Sequence, residues 1–144
     1  MTGSDNYLTR LIGRFYHEAW NARDEACARE ILHRDFDFRG SLGPVRTGPD
    51  GFIKYTHELW EGLPDFRCDI EEVVDAGNSA AAKMKFSGTH QGLFYGVPGS
   101  GKVIIWAGGA FFKGDGNQIT ALWVLGDIDA VKRQLGAAAR TDFI

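Results

Sequence analysis

Apolar residues at positions 8, 11, 12, 15 and 19 (Leu8, Leu11, Ile12, Phe15 and Ala19) recur at three- and four-residue steps. That spacing predicts a helix over residues 5–21, with Ser4 or Asp5 as its cap and Tyr16 and Trp20 on the flank of the stripe. A second helix is predicted over 24–32, capped by Asp24. Residues 35–40, DFDFRG, alternate with Phe36 and Phe38 on one face, which reads as a short strand. The Gly/Pro-rich run GSLGPVRTG is a loop. A third helix over 49–61 has Pro49 near its first position and Gly62 and Pro64 after its end. Its apolar side is Phe52, Ile53, Thr56, Leu59 and Trp60.

Four long strands follow, over 67–76, 79–90, 102–113 and 118–126, with turn signals at Gly77-Asn78 and Gly114-Asp115-Gly116-Asn117. Asp127 or Asp129 caps a last helix over 128–135, closed by Gly136. The tail AAARTDFI is either loose or docks on a partner. Helices followed by hairpin-linked strands predict a single α+β domain over 1–144. The expected architecture is a cone: a strongly curved, mainly antiparallel sheet, the N-terminal helices packed on it, and an internal pocket. Gly88, Gly108 and Gly109 inside strands are expected to mark bulges or bends.

Composition narrows the function classes. A net charge of −3 and a pI near 5.8 give no basic footprint for nucleic acid. No apolar run reaches the roughly 18 residues a membrane helix needs, and no secretory signal is visible, so the expected location is the cytoplasm. Cys27 and Cys68 read as free thiols. Aromatic residues make up 12% of the chain, enough to fill a core or to line an apolar pocket.

Several motifs bear on chemistry. The run GVPGSGK, residues 96–102, has phosphate-loop spacing, but Val103 replaces the magnesium-binding hydroxyl and a strand follows instead of a helix. It reads as a hairpin loop with Lys102 exposed. His17, His33, His57 and His90 have no metal-ligand spacing, and no nucleophile elbow is present, so no cofactor is expected. His90 falls on the apolar face of its strand with Met84, Phe86 and Gly88, as a core residue or a pocket donor. Alternation in the last strand puts Asp127 on one face with Ile119, Ala121, Trp123 and Leu125, provided no bulge intervenes. Asp127 is then a helix cap, a general base, or both. Tyr16, Trp20, His57 and Trp60 are candidates for the cone's interior. Asp65, Asp69, Glu71 and Glu72 read as a solvated acidic rim.

Two stretches resemble the SnoaL-like polyketide cyclase family of the NTF2-like superfamily. One is SGTHQGLFYGVPGSGK, residues 87–102; the other runs over 118–136, with Ile119, Trp123, Asp127 and the closing Gln134-Leu135-Gly136 in order. The helix–helix–strand–helix lead-in also fits, so the resemblance spans residues 7–137. It implies a cofactor-independent enzyme closing a ring by intramolecular aldol condensation, or related lyase or isomerase chemistry. Asp127 would be its acid/base and His90 an oxygen-stabilising donor. Phe94, Trp106 and Trp123 would pack on a flat polyketide. The implied partners are a small apolar or polyketide-like ligand and further copies of the chain, as a homodimer or homotetramer, with no nucleic acid and no membrane. One departure stands out: IIWAGGAFF carries no titratable group. The alternatives are a non-catalytic small-molecule-binding protein or another NTF2-like isomerase, dehydratase or hydrolase.

Overall fold

The computed structural model describes residues 6–136. Helix α1 (Tyr7–Arg14) passes directly into a π-helical segment, Phe15–Trp20, where the Asn21 amide bonds back to the Tyr16 carbonyl at 2.9 Å. One uninterrupted α-helix is the sequence expectation here. The wider π turn brings Phe15, Tyr16, Ala19 and Trp20 all inward, so Trp20 is core rather than flank. The expected caps Ser4 and Asp5 lie outside the described residues. Helix α2 (Glu25–Ile31) starts as predicted, Asp24 accepting from the Cys27 amide at 3.0 Å. Helix α3 (Gly48–Gly62) buries Phe52, Tyr55, Thr56 and Leu59. Its apolar stripe is therefore centred one position away from the one expected. Ile53 and Trp60 are half-buried at its edges, and Tyr55 is the core residue that the sequence pattern missed.

The sheet has six strands: β1 (Leu32–Arg39), β2 (Val45–Thr47), β3 (Arg67–Asp75), β4 (Ser79–Thr89), β5 (Val103–Gly114) and β6 (Ile119–Gly126). Their order is β2-β1-β6-β5-β4-β3. All neighbours are antiparallel except β1 and β6, which run parallel. The short β2 lies inside the segment expected to be loop.

Strands β4 and β5 pair without a break from Ser79↔Lys113 to Thr89↔Val103, so Gly88, Gly108 and Gly109 are not bulges. Two of them make room for neighbours instead. A Cβ on Gly88 would stand 2.9 Å from the Leu63 Cβ, and one on Gly108 2.5 Å from the Phe86 ring. The register shifts fall elsewhere, including Lys113/Gly114. There Lys113 faces Ala121 and Gly114 faces Ile119, which leaves Thr120 as an extra residue on β6. One extra residue inverts the side-chain alternation beyond it. Leu122 and Val124 therefore face the core, while Trp123 and Leu125 face outward, 48% and 56% exposed. The alternation expected for β6 is thus reversed over its second half.

Helix α4 (Ile128–Leu135) closes the open edge of β5. The Gln134 amide donates to the Ile105 carbonyl at 2.7 Å, and its oxygen accepts from the Ile105 amide at 2.8 Å. One side chain thus satisfies an edge that would otherwise be a free ladder. Val131 and Leu135 pack under it. Cys27 and Cys68 are buried and free. Among the described residues no helix is long and apolar enough to cross a membrane.

Candidate functional site

The concave side of the sheet and the helices enclose an aromatic interior. The π segment contributes Tyr16 and Trp20, α3 contributes Tyr55 and Leu59, and Phe38, Phe66, Phe86 and Leu122 complete the wall of a cavity of about 20 Å³. Ring packing fixes these groups: Trp20–Phe66 is 5.1 Å, Phe38–Tyr55 5.0 Å, and Tyr16–Phe112 6.0 Å between centroids. The internal pocket expected from the cone is thus present in outline but nearly filled. Trp106 stands behind it, 5.7 Å from Phe66 and 5.5 Å from Phe86.

The electrostatics of this interior are simple. Among the described residues no carboxylate, ammonium or guanidinium is buried; the buried polar groups are Ser41, Thr56 and His90, beside the tyrosines. Burial pushes the Tyr16 phenol well above its ordinary range, with smaller contributions from Cys68 and Tyr55. Tyr55 is pushed up in the same way, and its hydroxyl accepts from the Leu42 amide at 3.2 Å. That contact ties the loop after β1 to the interior. It also explains Gly40, where a Cβ would stand 2.4 Å from the Tyr55 oxygen.

Asp127 lies one residue past β6 and is exposed. Its carboxylate accepts from the Ala130 amide at 3.1 Å, so it is the cap of α4. Its own amide donates to the Ala107 carbonyl at 2.9 Å. It is not grouped with an inward-facing Trp123, as unbroken alternation implies, because the bulge at Thr120 turns that tryptophan outward.

His90 is fully buried, and both ring nitrogens are engaged within its own loop. Nε2 is 2.9 Å from the Val97 carbonyl and Nδ1 is 2.9 Å from the Ser100 hydroxyl. A carbonyl only accepts, so Nε2 carries the proton. The backbone repeats the clasp: the His90 amide donates to Lys102 at 2.8 Å, and its carbonyl accepts from Ser100 and Gly101 at 3.0 and 2.8 Å. In this conformation His90 offers nothing to a ligand. Its neighbours lock the loop further. Thr89 donates its amide and hydroxyl to the Asp65 carboxylate at 2.6 and 2.7 Å, which holds that carboxyl below its ordinary range. Asp65 is therefore a structural anchor and not only part of a solvated rim. A Cβ on Gly92 would be 2.0 Å from the Glu61 carbonyl, so only glycine fits against the end of α3.

The other sequence candidates divide. Tyr16 and Trp20 border the interior cavity. Trp106 is buried beside it, and Phe94 is buried against His90 and Tyr95. His57 is exposed and pairs with Glu25 at 3.0 Å, and Trp60 is half-buried under Arg23 at 4.2 Å. Neither lines the cavity: His57 projects to solvent, and Trp60 packs edge-on against Trp20, 6.0 Å between ring centroids. Trp123 lines a different cavity, a groove of about 500 Å³ on the outer sheet face with Phe111, Arg39, Lys113, Asp37 and Val74. Ser41, Tyr55 and Tyr95 were missed. Tyr95, buried with a φ of +50°, sits in a Gly/Pro-rich loop that gives no periodicity to read.

The family profile described as SnoaL-like polyketide cyclase matches residues 10–135. No curated protein sequence matches the chain. Among solved structures, a proposed SnoaL-like polyketide cyclase from Jannaschia sp. CCS1 is 23% identical with a TM-score of 0.82, each chain being covered to 93%. TsrD from Streptomyces laurentii is 23% identical with a TM-score of 0.80, covering 95% of this chain and 98% of its own. A proposed polyketide cyclase from Bacillus cereus ATCC 10987 is 27% identical with a TM-score of 0.71, covering 90% and 80%.

Proposed function

Because the chain belongs to the SnoaL-like polyketide cyclase family, with the NTF2-like α+β fold, we propose that its conical interior, nearly filled at about 20 Å³, opens by movement of its wall rings to bind a small, flat, polyketide-like ligand. The observation that carries this reading is the wall of that interior, mostly aromatic and free of charged residues among the described ones. Such a wall suits a ligand held by apolar contact and ring packing. It holds no group suited to take a proton from carbon, since the buried phenols are pushed toward their neutral form. Binding without chemistry is therefore the reading the geometry supports best.

The test uses the four tryptophans as reporters. Labelled with 5-fluorotryptophan, the protein is titrated with naphthalene and chromone, two flat bicyclic probes. Interior binding shifts the fluorine signals of Trp20 and Trp106. Signals that stay in place, or a shift of Trp123 alone, would refute the interior site.

One observation favours a second reading, the aldol-type cyclase with Asp127 as acid/base. Gly126, the residue before it, sits where a Cβ would be 2.8 Å from Ser41 and 3.1 Å from the Trp106 indole nitrogen. Asp127 is the next residue along the chain, and this reading requires a ligand that extends out past Ser41 to its carboxylate. Turnover of a polyketide-type ester that vanishes in Asp127→Asn, with the fold intact, would select this reading over pure binding.

For assembly we propose a homodimer through the outer sheet face. The strand registers place Val74, Ala81, Phe111, Trp123 and Arg39 in one row across the sheet. Phe111 and Trp123 are half-exposed, with rings 5.8 Å apart, beside the outer groove. This face carries projecting rings, a groove, and both signs of charge at Asp37, Arg39 and Lys113, so a second copy related by a two-fold axis complements it. Sedimentation should show a dimer that Phe111→Glu with Trp123→Glu converts to a folded monomer; a monomeric wild type would overturn the assembly.

A further inference from the structure

Two hollows meet at a pair of indoles. Trp20 walls the interior cavity of about 20 Å³. Trp60 walls an outer hollow of about 400 Å³, together with Arg23, Glu25, His57 and Glu61. The two rings touch edge-on, 6.0 Å between centroids. Ligand pockets commonly measure about 300–1,000 Å³, so the interior alone is too small and the joined hollows are not.

Three features make Trp60 the movable ring of the two. It stands in the last turn of α3, where a helix frays most easily. Its Nε1 is closed to solvent and has no acceptor, so turning outward gains a hydrogen bond to water and offsets part of the lost packing. It is also covered by a single side chain, the Arg23 guanidinium 4.2 Å over the ring. Trp20 is set more firmly, against Phe66 at 5.1 Å, Phe52 at 5.3 Å and Tyr55 at 6.1 Å.

Arg23 has the contacts of a latch. Its φ is +55°, a left-handed value that a non-glycine residue keeps only where its surroundings hold it. Its amide donates to the Trp20 carbonyl at 3.2 Å, and its guanidinium donates to the Pro64 carbonyl just past α3. One residue thus ties the end of the π segment to the end of α3 and lies over the ring between them. The Glu25–His57 pair, at 3.0 Å, joins α2 to α3 at the same hollow.

We propose that Trp60 is the gate of the interior and Arg23 its latch. When Arg23 releases, Trp60 turns out into the hollow, Trp20 gains room to follow, and the two hollows join into one chamber. The proposal rests on the interior being the binding site; it adds the route in and the source of the volume.

The test is Arg23→Gly in the full chain. Glycine suits the positive φ, so the fold is kept while the latch is lost, and circular dichroism should be unchanged. Trp60 and Trp106 both carry buried, unpaired indole N–H groups, which makes Trp106 the internal control. In the ligand-free protein, hydrogen exchange at the Trp60 indole should speed up about tenfold, a cation–π contact and a hydrogen bond being lost, with Trp106 unchanged. Chromone is then mixed in stopped flow and followed by tryptophan quenching. Its association and dissociation should both accelerate while its Kd stays within about twofold, because the latch closes the free and filled states alike. Exchange unmoved at Trp60, or faster at Trp60 and Trp106 alike, overturns the gate. So does chromone that shifts the Trp20 signal at unchanged rates; the interior site then stands with another entrance. Chromone that binds neither protein overturns the interior site itself, and the gate as its entrance with it.

Discussion

Replacing His90 by leucine separates a structural histidine from a ligand-binding one. The side chain is fully buried and makes two hydrogen bonds of 2.9 Å, to Val97 and Ser100. Each buried bond contributes about 1 kcal/mol net, and an acceptor stranded without a donor costs a further 1–3 kcal/mol or so. The second cost is limited here. The Val97 carbonyl also accepts from the Phe94 amide at 3.0 Å, and Ser100 is exposed and can turn to water. The expected loss is therefore about 2 kcal/mol. With a urea slope of about 2 kcal/mol/M for a chain of this size, the midpoint should fall by about 1 M. Ser100→Ala removes one of the two bonds at an exposed position and should cost about half as much or less. Chromone affinity should change little in His90→Leu, because neither ring nitrogen faces the cavity. Unchanged stability combined with a large loss of chromone binding would refute the reasoning and restore His90 as a ligand donor.

Other outcomes follow from the same geometry. Tyr16→Phe should raise the unfolding free energy of the ligand-free protein by about 1 kcal/mol, because an unpaired donor is removed from the core; destabilisation would mean the hydroxyl has a protein partner. Asp127→Ala should cost about 1 kcal/mol through loss of the α4 cap, and Asp127→Asn only a few tenths, on the order of the dipole effect; equal losses would argue against the cap. The Asp65 and Asp75 carboxyls sit below their ordinary range, held chiefly by hydrogen bonds from Thr89 and Thr9 respectively. A folded-state value below the unfolded one contributes stability above the unfolded value, and that contribution is lost as pH falls through the folded one. Urea midpoints should therefore drop below about pH 4, with a shallower drop in Asp75→Asn; parallel curves would contradict this.

Strands β3 to β6 were legible because alternation and glycine-bearing turns act over a few residues. So was the Asp24 cap. What escaped depends on partners distant in sequence or on one extra residue. The parallel pairing of β1 with β6 joins segments about 85 positions apart, as the pair Arg39↔Trp123 shows. Thr120 carries no bulge signal, yet it decides which way Trp123 points. The stripe on α3 was misjudged by one position because Ile53 and Trp60 are apolar and still lie at its edges. Trp60 offers its ring to Arg23, so its hydrophobicity does not report burial. His57 followed the same misjudged stripe and pairs outside with Glu25.

The residues that carry the family resemblance turn out to solve problems of backbone architecture. Gly88 admits Leu63, Thr89 is anchored by Asp65, His90 clasps its loop, Gly92 lies against the end of α3, and Gln134 finishes the edge of β5. None of them lines the cavity. These motif residues thus serve the scaffold, and the inward-facing positions of the sheet are others. On β6 those positions are Leu122 and Val124. A carboxylate at either would be surrounded by aromatic walls, its pKa raised by desolvation toward the range of a working general base, at a cost in stability. Val124→Asp puts that to the test: a titration raised above the ordinary carboxylate range would place the new group in the interior. An ordinary value would mean that the chain beyond Thr120 is free to turn its side chains back toward solvent.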